Sequence, residues 1–166
     1  MLSLSENKNR LGEFCIEPLQ ESDIGEVAQI EEFYGLDRWA DSTHRQVMTE
    51  SPQAIMLVAR PTNMTQSERR LLGFLCSRVV ADEWHVYNIA THPEHRRQGI
   101  ASSLMRQGMA RAQALGAAAG FLEVRASNQP ARALYERLGF IAVSRRRAFY
   151  HQPTEDGLVM RCSLLR

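Results

Sequence analysis

Residues 88–105 read NIATHPEHRRQGIASSLM. A strand-like run ends at Thr91 and Pro93. A basic, Gly-containing turn follows, and from Ile100 the apolar residues recur at helical spacing. The first turn of a helix has N–H groups without intrahelical partners and the positive end of the dipole, so a strand–turn–helix junction of this kind attracts anions, phosphates above all. Gly99 lets the backbone approach a bulky ligand closely. Ala101 and Ser102 are small, and Arg96 and Arg97 place positive charge beside the turn. The stretch has neither G-x-x-x-x-G-K-[ST] nor G-x-G-x-x-G, which excludes a P-loop and a dinucleotide fingerprint. Taken alone, the same residues also suit a solvated basic loop that opens an ordinary helix.

Working outward, Glu83 to Ala90 (EWHVYNIA) predicts the strand before the turn, and Ile100 to Leu115 predicts the helix after it. Ile100, Leu104, Met105, Met109, Ala112 and Leu115 share one broad face, and Gly116 is the stop. Gly120 to Arg125 (GFLEVR) predicts a further strand. The connection between these two strands is too long for a hairpin, so they are expected to be parallel, joined by a right-handed crossover. Upstream, Glu13 to Pro18 predicts a short strand. Ser22 is a candidate cap for a helix carrying Ile24, Val27, Ile30 and Phe33, ended by Gly35. Asp41 or Ser42 starts a second short helix through Val47 and Met48. Ala54 to Ala59 and Leu71 to Val80 predict an antiparallel hairpin. Downstream, Asn128 or Ser127 caps a helix with Pro130 in its first turn, which Gly139 ends. Ile141 to Tyr150 and Leu158 to Leu164 predict two last strands. The order β-α-α-β-β-β-α-β-α-β-β describes a mixed α/β domain whose sheet is mostly antiparallel, with one parallel strand–helix–strand unit. Residues 1–11 are expected to be a loose tail and residues 12–166 a single domain.

The bulk composition narrows the function classes. The 166 residues suit one core. A formal net charge of +1 gives no argument for nucleic acid or a membrane surface as partner. No apolar run has the length of a signal core or a spanning helix. Cys15, Cys76 and Cys162 form neither a metal pattern nor a disulfide framework. The expectation is a cytoplasmic protein, monomeric or weakly dimeric, with no nucleic acid or membrane partner.

The second block that carries chemistry is GFLEVRASNQPARALYERLGF, residues 120–140. It sets a carboxylate (Glu123), an amide (Asn128) and a phenol (Tyr135) at a strand end and on the next helix. Arg96-x-x-Gly99-x-Ala101 resembles the coenzyme A pyrophosphate turn of the GCN5-related N-acetyltransferase (GNAT) superfamily. Within it, LEVRASN, ALYERLGF, NIATHPEHRRQGIA, RRRAFY and EDGLVM are similar to the RimI family, bacterial acetyltransferases of a ribosomal protein's N-terminal alanine. The resemblance covers Trp84 to Met160 and implies direct acetyl transfer from acetyl-CoA to a peptide or protein N-terminus, with no metal. It implies Glu123 as general base toward the amine and Tyr135 as general acid toward the leaving thiolate. It implies that the main chain at Ile89, Ala90 and Thr91 pairs with the pantetheine arm, that Asn128 hydrogen-bonds that arm, and that Arg97, Gln98, Gly99, Ile100, Ala101 and Ser102, with Arg96, hold the pyrophosphate. The chain departs from the family at Phe149–Tyr150, where two tyrosines are common, and at His151, where a proline tends to follow. The peptide-facing stretch Phe33 to Ser51 is only loosely similar.

Each residue also has a plainer role open to it. Alternation points Glu123 away from the face of Leu122 and Val124, where it would be a surface carboxylate if that face is solvent. Tyr135 lies at helical spacing with Ala131 and Leu138 and also fits a core tyrosine. His92 and His95 lack an accompanying zinc-helix motif. Arg145, Arg146 and Arg147 fit a solvated strand edge or a site for an acidic group. Cys76 fits buried packing better than a nucleophile, and Trp39 and Trp84 fit the core. Other acceptors stay open: a small-molecule amine, a lysine, or none at all in an acetyl-CoA-binding regulator.

Overall fold

The computed structural model describes residues 14–36, 45–47, 51–62 and 70–165. The expected tail, Trp39 and most of the second short helix lie outside these residues; of that helix, residues 45–47 are described and are helical.

The described strands form one sheet of seven in the order β1-β2-β3-β4-β5-β7-β6. They are β1 (Phe14–Pro18), β2 (Ala54–Pro61), β3 (Gly73–Val80), β4 (Glu83–Thr91), β5 (Ala119–Arg125), β6 (Ile141–His151) and β7 (Thr154–Ser163). Neighbours are antiparallel except β4 and β5, which run parallel as the crossover predicts. Beside the helical residues 45–47, the described residues hold three longer α-helices: α1 (Ile24–Tyr34), α2 (Ile100–Ala114) and α3 (Gln129–Arg137).

α1 buries Ile24, Val27, Ala28 and Ile30 at helical spacing and stops at Gly35, whose φ of +57° suits glycine. Ser22 does not cap it. The chain enters through a 3-10 turn, Glu21–Asp23, and the buried Asp23 carboxylate accepts the Gln20 N–H at 2.8 Å while pairing with Arg60. The carboxylate reaching back serves the Gln20 N–H at the start of the 3-10 turn, and the first turn of α1 has no side-chain cap.

α2 lies on one face of the sheet, where Leu57, Leu75, Trp84, Leu104, Met105, Leu122 and Phe140 form the larger core; α1 covers the other with Met56, Val58, Phe74 and Cys76. Trp84 is fully buried between α2 and β5. A Cβ on Gly108 would lie 2.8 Å from its ring, and one on Gly120 3.0 Å from it, so glycine is what admits the indole on both sides. Leu115, expected on the buried face of α2, is 43% exposed, because the helix has ended at Ala114.

The geometry that matters for function lies at the parallel seam. β4 and β5 pair only from Glu83↔Ala119 to Val86↔Leu122. At the next residue β4 bulges: Cys76 of β3 faces Asn88 while Ser77 faces Val86, leaving Tyr87 as the extra residue. A bulge bends its strand and increases the local twist. Beyond it β4 keeps its pairing with β3 and has none with β5, so the sheet splays open along Asn88–Thr91.

Candidate active site

The open end of the splay faces the turn singled out in the sequence. After Thr91, a 3-10 turn at Pro93–His95 leads to Arg97 and Gly99, both left-handed at φ +63° and +79°. A non-glycine residue in that region is uncommon and marks a tightly determined backbone. Ile100 is 1% exposed and anchors the start of α2 in the core. The Ser103 N–H makes the helix's first bond, to the Gly99 carbonyl at 3.0 Å. The N–H groups of Ile100, Ala101 and Ser102 therefore have no helical acceptor and form the anion-binding end. Arg97, Gln98 and Gly99 are exposed beside them, and Ala101 and Ser102 are half-buried.

Arg96 differs from its neighbours. Its Nε donates to the Tyr34 hydroxyl at 2.8 Å, and its guanidinium lies 5.0 Å over the Tyr34 ring. The Tyr34 hydroxyl in turn donates to the Thr91 carbonyl at 2.7 Å. One turn earlier on α1, the Glu31 carboxylate is fully buried and accepts from Asn88 Nδ2 at 2.9 Å. The last turn of α1 thus holds β4 at both ends of the splayed stretch. Neither contact is visible in sequence, since Glu31 and Tyr34 look like ordinary members of a polar helix end.

Glu123 and Tyr135 approach β5 from opposite faces. Leu122 and Val124 enter the larger core beside Tyr135, which is 6% exposed and tilts against Phe140 with ring centroids 6.1 Å apart. Burial, and secondarily the nearby Tyr150, pushes the Tyr135 phenol well above the usual tyrosine range. Glu123 points the other way, onto the face where Phe121 stacks on His85 at 5.7 Å. Its Oε1 lies 2.9 Å from Arg146 Nη1. The solvated-edge reading of the arginine run misses this pair, because only the β5–β7–β6 register brings Arg146 to Glu123. Arg145 binds Asp156 at 2.6 Å.

Arg125 completes this face in a way the sequence does not announce. It lies 4.2 Å over the Tyr150 ring, donates to the Gln152 and Pro153 carbonyls, and pairs with Glu155 at 3.5 Å. It thereby ties the β6–β7 hairpin to the end of β5. Asn128 caps α3 as expected, its Oδ1 accepting the Ala131 N–H at 3.2 Å, which leaves its amide N–H2 as the donor available to a ligand. The Cys76 thiol is fully buried, and burial, then the Glu31 carboxylate, pushes it far above the reactive range, as its packing role requires. The ligand atoms of His92, Glu94 and His95 lie within 4.8 Å of one another.

A family model described as Acetyltransferase (GNAT) family matches residues 24–140. The [ribosomal protein bS18]-alanine N-acetyltransferase of Escherichia coli (strain K12) is 42% identical over 88 residues, 53% of this chain and 58% of that one, so the aligned stretch spans little more than half of that relative. The protein of the same name from Haemophilus ducreyi (strain 35000HP) is 29% identical over 149 residues, 87% of this chain and 97% of that one. The crystal structure of the ribosomal-protein-S18-alanine N-acetyltransferase from Escherichia coli superposes with a TM-score of 0.77 at 29% identity, covering 92% of this chain and 95% of that one. The matched family model runs from α1 past the end of α3 and stops before the β6–β7 hairpin, and the chain belongs to the GNAT acetyltransferase family.

Proposed function

We propose that the chain is a cytoplasmic, acetyl-CoA-dependent N-acetyltransferase whose acceptor is a protein N-terminal α-amine, that of an N-terminal alanine on a ribosomal protein of the bS18 kind. The observation that carries this reading is the splay of β4 from β5 beside the open first turn of α2, with Glu123 and Tyr135 on opposite faces of β5. The names of the similar proteins support the acceptor.

The residues present fit coenzyme A. The splayed edge at Ile89, Ala90 and Thr91 offers main-chain groups to an extended amide-bearing arm, as an added strand would use them. The N–H groups at the start of α2, with Arg97, Gln98 and Gly99, suit a pyrophosphate. Asn128 has an amide donor to give. When bound, acetyl-CoA supplies an acetyl group activated as a thioester. Backbone N–H groups near Ile89 to Thr91 would stabilise negative charge on the carbonyl oxygen.

Glu123 takes the proton of the acceptor ammonium, directly or through one water. Its pairing with Arg146 is no obstacle, since a half-exposed ion pair is worth only about 0–1 kcal/mol. The guanidiniums of Arg146 and Arg125 on the same face favour the neutral amine, because a like charge disfavours an ammonium. A peptide α-amine, with a pKa near ~8 against ~10.4 for lysine, yields its proton more readily under those conditions. On the other face Tyr135 gives its proton to the departing sulfur, and burial ensures that the phenol still has that proton in the working pH range.

The test is an acetylation assay with alanine-initiated peptides, peptides with other N-termini, a lysine peptide blocked at its N-terminus, and polyamines. The alanine-initiated peptide should lead by tenfold or more in kcat/KM, about 1.4 kcal/mol of discrimination. A leading polyamine or blocked lysine peptide would overturn the acceptor assignment. Acetyl-CoA binding with no acceptor modified would make the protein a binding module instead.

A further inference from the structure

We infer that Tyr34 is a positioning residue for the pyrophosphate turn, acting through Arg96; this rests on the proposed coenzyme A site. Tyr34 ends α1, on the opposite face of the sheet from α2, yet its hydroxyl is the joint between two parts of the cofactor edge. It donates to the Thr91 carbonyl at 2.7 Å and accepts from Arg96 Nε at 2.8 Å. A hydroxyl has one proton to give and lone pairs to receive, so both bonds are made at once. The guanidinium also rests 5.0 Å above the same ring. Arg96 is exposed, and an exposed arginine loses about 2 kcal/mol of rotamer freedom when it is fixed. Tyr34 removes that freedom before the ligand arrives. The bond uses Nε and not the two terminal guanidinium nitrogens, and the hydroxyl fixes the last carbonyl of β4 at the point where the chain turns toward Arg97 and Gly99.

Such a residue should affect affinity for the phosphate part of the cofactor more than affinity for its pantetheine arm. The experiment measures binding of coenzyme A, and of pantetheine, which lacks the pyrophosphate and nucleotide, by calorimetry. Tyr34→Phe keeps the ring and removes the joint. Coenzyme A should bind about 3- to 10-fold more weakly, the worth of about one net hydrogen bond, while pantetheine, whose arm the Thr91 main chain also meets, should lose clearly less. Arg96→Ala should weaken coenzyme A as well, and Tyr34→Phe should cost less in the Arg96→Ala background than it does alone, because the shared contact is already gone. Arg96→Lys, which keeps the charge but loses the Nε bond and the planar guanidinium, should weaken coenzyme A at least as much as Tyr34→Phe and serves if Tyr34→Phe folds poorly. Unchanged coenzyme A affinity in Tyr34→Phe, an equal loss for pantetheine, or additive losses in the double variant would each overturn the inference. Gly99→Val separates this failure from that of the site itself. If it leaves coenzyme A affinity intact, the pyrophosphate does not sit at the turn. If it weakens binding and Tyr34→Phe does not, only the role of Tyr34 falls.

Discussion

Burial acts on Tyr135 in the direction that suits an acid. Desolvation disfavours the phenolate, so the hydroxyl keeps its proton beyond the range where a free tyrosine would lose it. Tyr135→Phe should therefore lower kcat by about 10²–10⁴-fold with acetyl-CoA affinity near wild type. The alkaline fall of kcat, if Tyr135 sets it, belongs above the ordinary tyrosine value of 10.0, since an acid works protonated and its loss follows the raised pKa. Stopped-flow turnover across pH checks both; an unchanged rate in Tyr135→Phe, with chemistry limiting, reduces the residue to packing. At this scale the sequence was informative where periodicity decides direction. The alternation Leu122-Glu123-Val124 put the carboxylate on the face away from the larger core, and helical spacing put Tyr135 inside. It was silent on Arg146, because the β6–β7 ladder shifts register between Ala142 and Ser144 and again after Arg146. A residue count cannot pass through those irregularities.

Among the elements, α2 shows how a helix can be required by its partner. Gly108 faces Leu75 and Trp84, and an added Cβ would sit 2.6 Å and 2.8 Å from their side chains. Gly108→Val should destabilise the fold by about 1–3 kcal/mol, the usual cost of overpacking, as a lower midpoint in urea with an unchanged slope. A midpoint equal to wild type would mean that Trp84 can move aside. The order of elements and the parallel crossover follow from periodicity and connection length, both local properties. The splay does not. Residues 88–91, Asn-Ile-Ala-Thr, read as the end of an ordinary strand, and the bulge at Tyr87 against β3 is where the pairing with β5 stops.

At the scale of the molecule, acid should loosen the C-terminal half first. Asp156 accepts from the Ala148 N–H at 2.9 Å and pairs with Arg145, and these contacts hold its carboxyl below the ordinary 3.8. Hydrogen bonds from Ser127, then Arg125, hold Glu155 below its ordinary 4.5. Groups with depressed pKa values stabilise the fold above their unfolded values, and the contribution is lost as pH falls through the folded ones. Thermal midpoints should therefore decline as pH drops below about 4.5, and the Glu155→Gln, Asp156→Asn variant should show a shallower decline in that window. Equal slopes would place the acid sensitivity elsewhere.

The splayed stretch of β4 has a further consequence for the life of the protein before it meets a ligand. An unpaired strand edge is a template on which another chain can add, and proteins guard outer edges with charge, bulges or covering loops. Here the open edge lies in the middle of the sheet, and Ile89 and Ala90, which lie along it, are apolar. No charged side chain interrupts Asn88 to Thr91. On the proposed reading the pantetheine arm pairs along that edge, so the co-substrate is also its guard. On that reading, self-association through β4 should fall when coenzyme A is added, and light scattering with and without coenzyme A checks it.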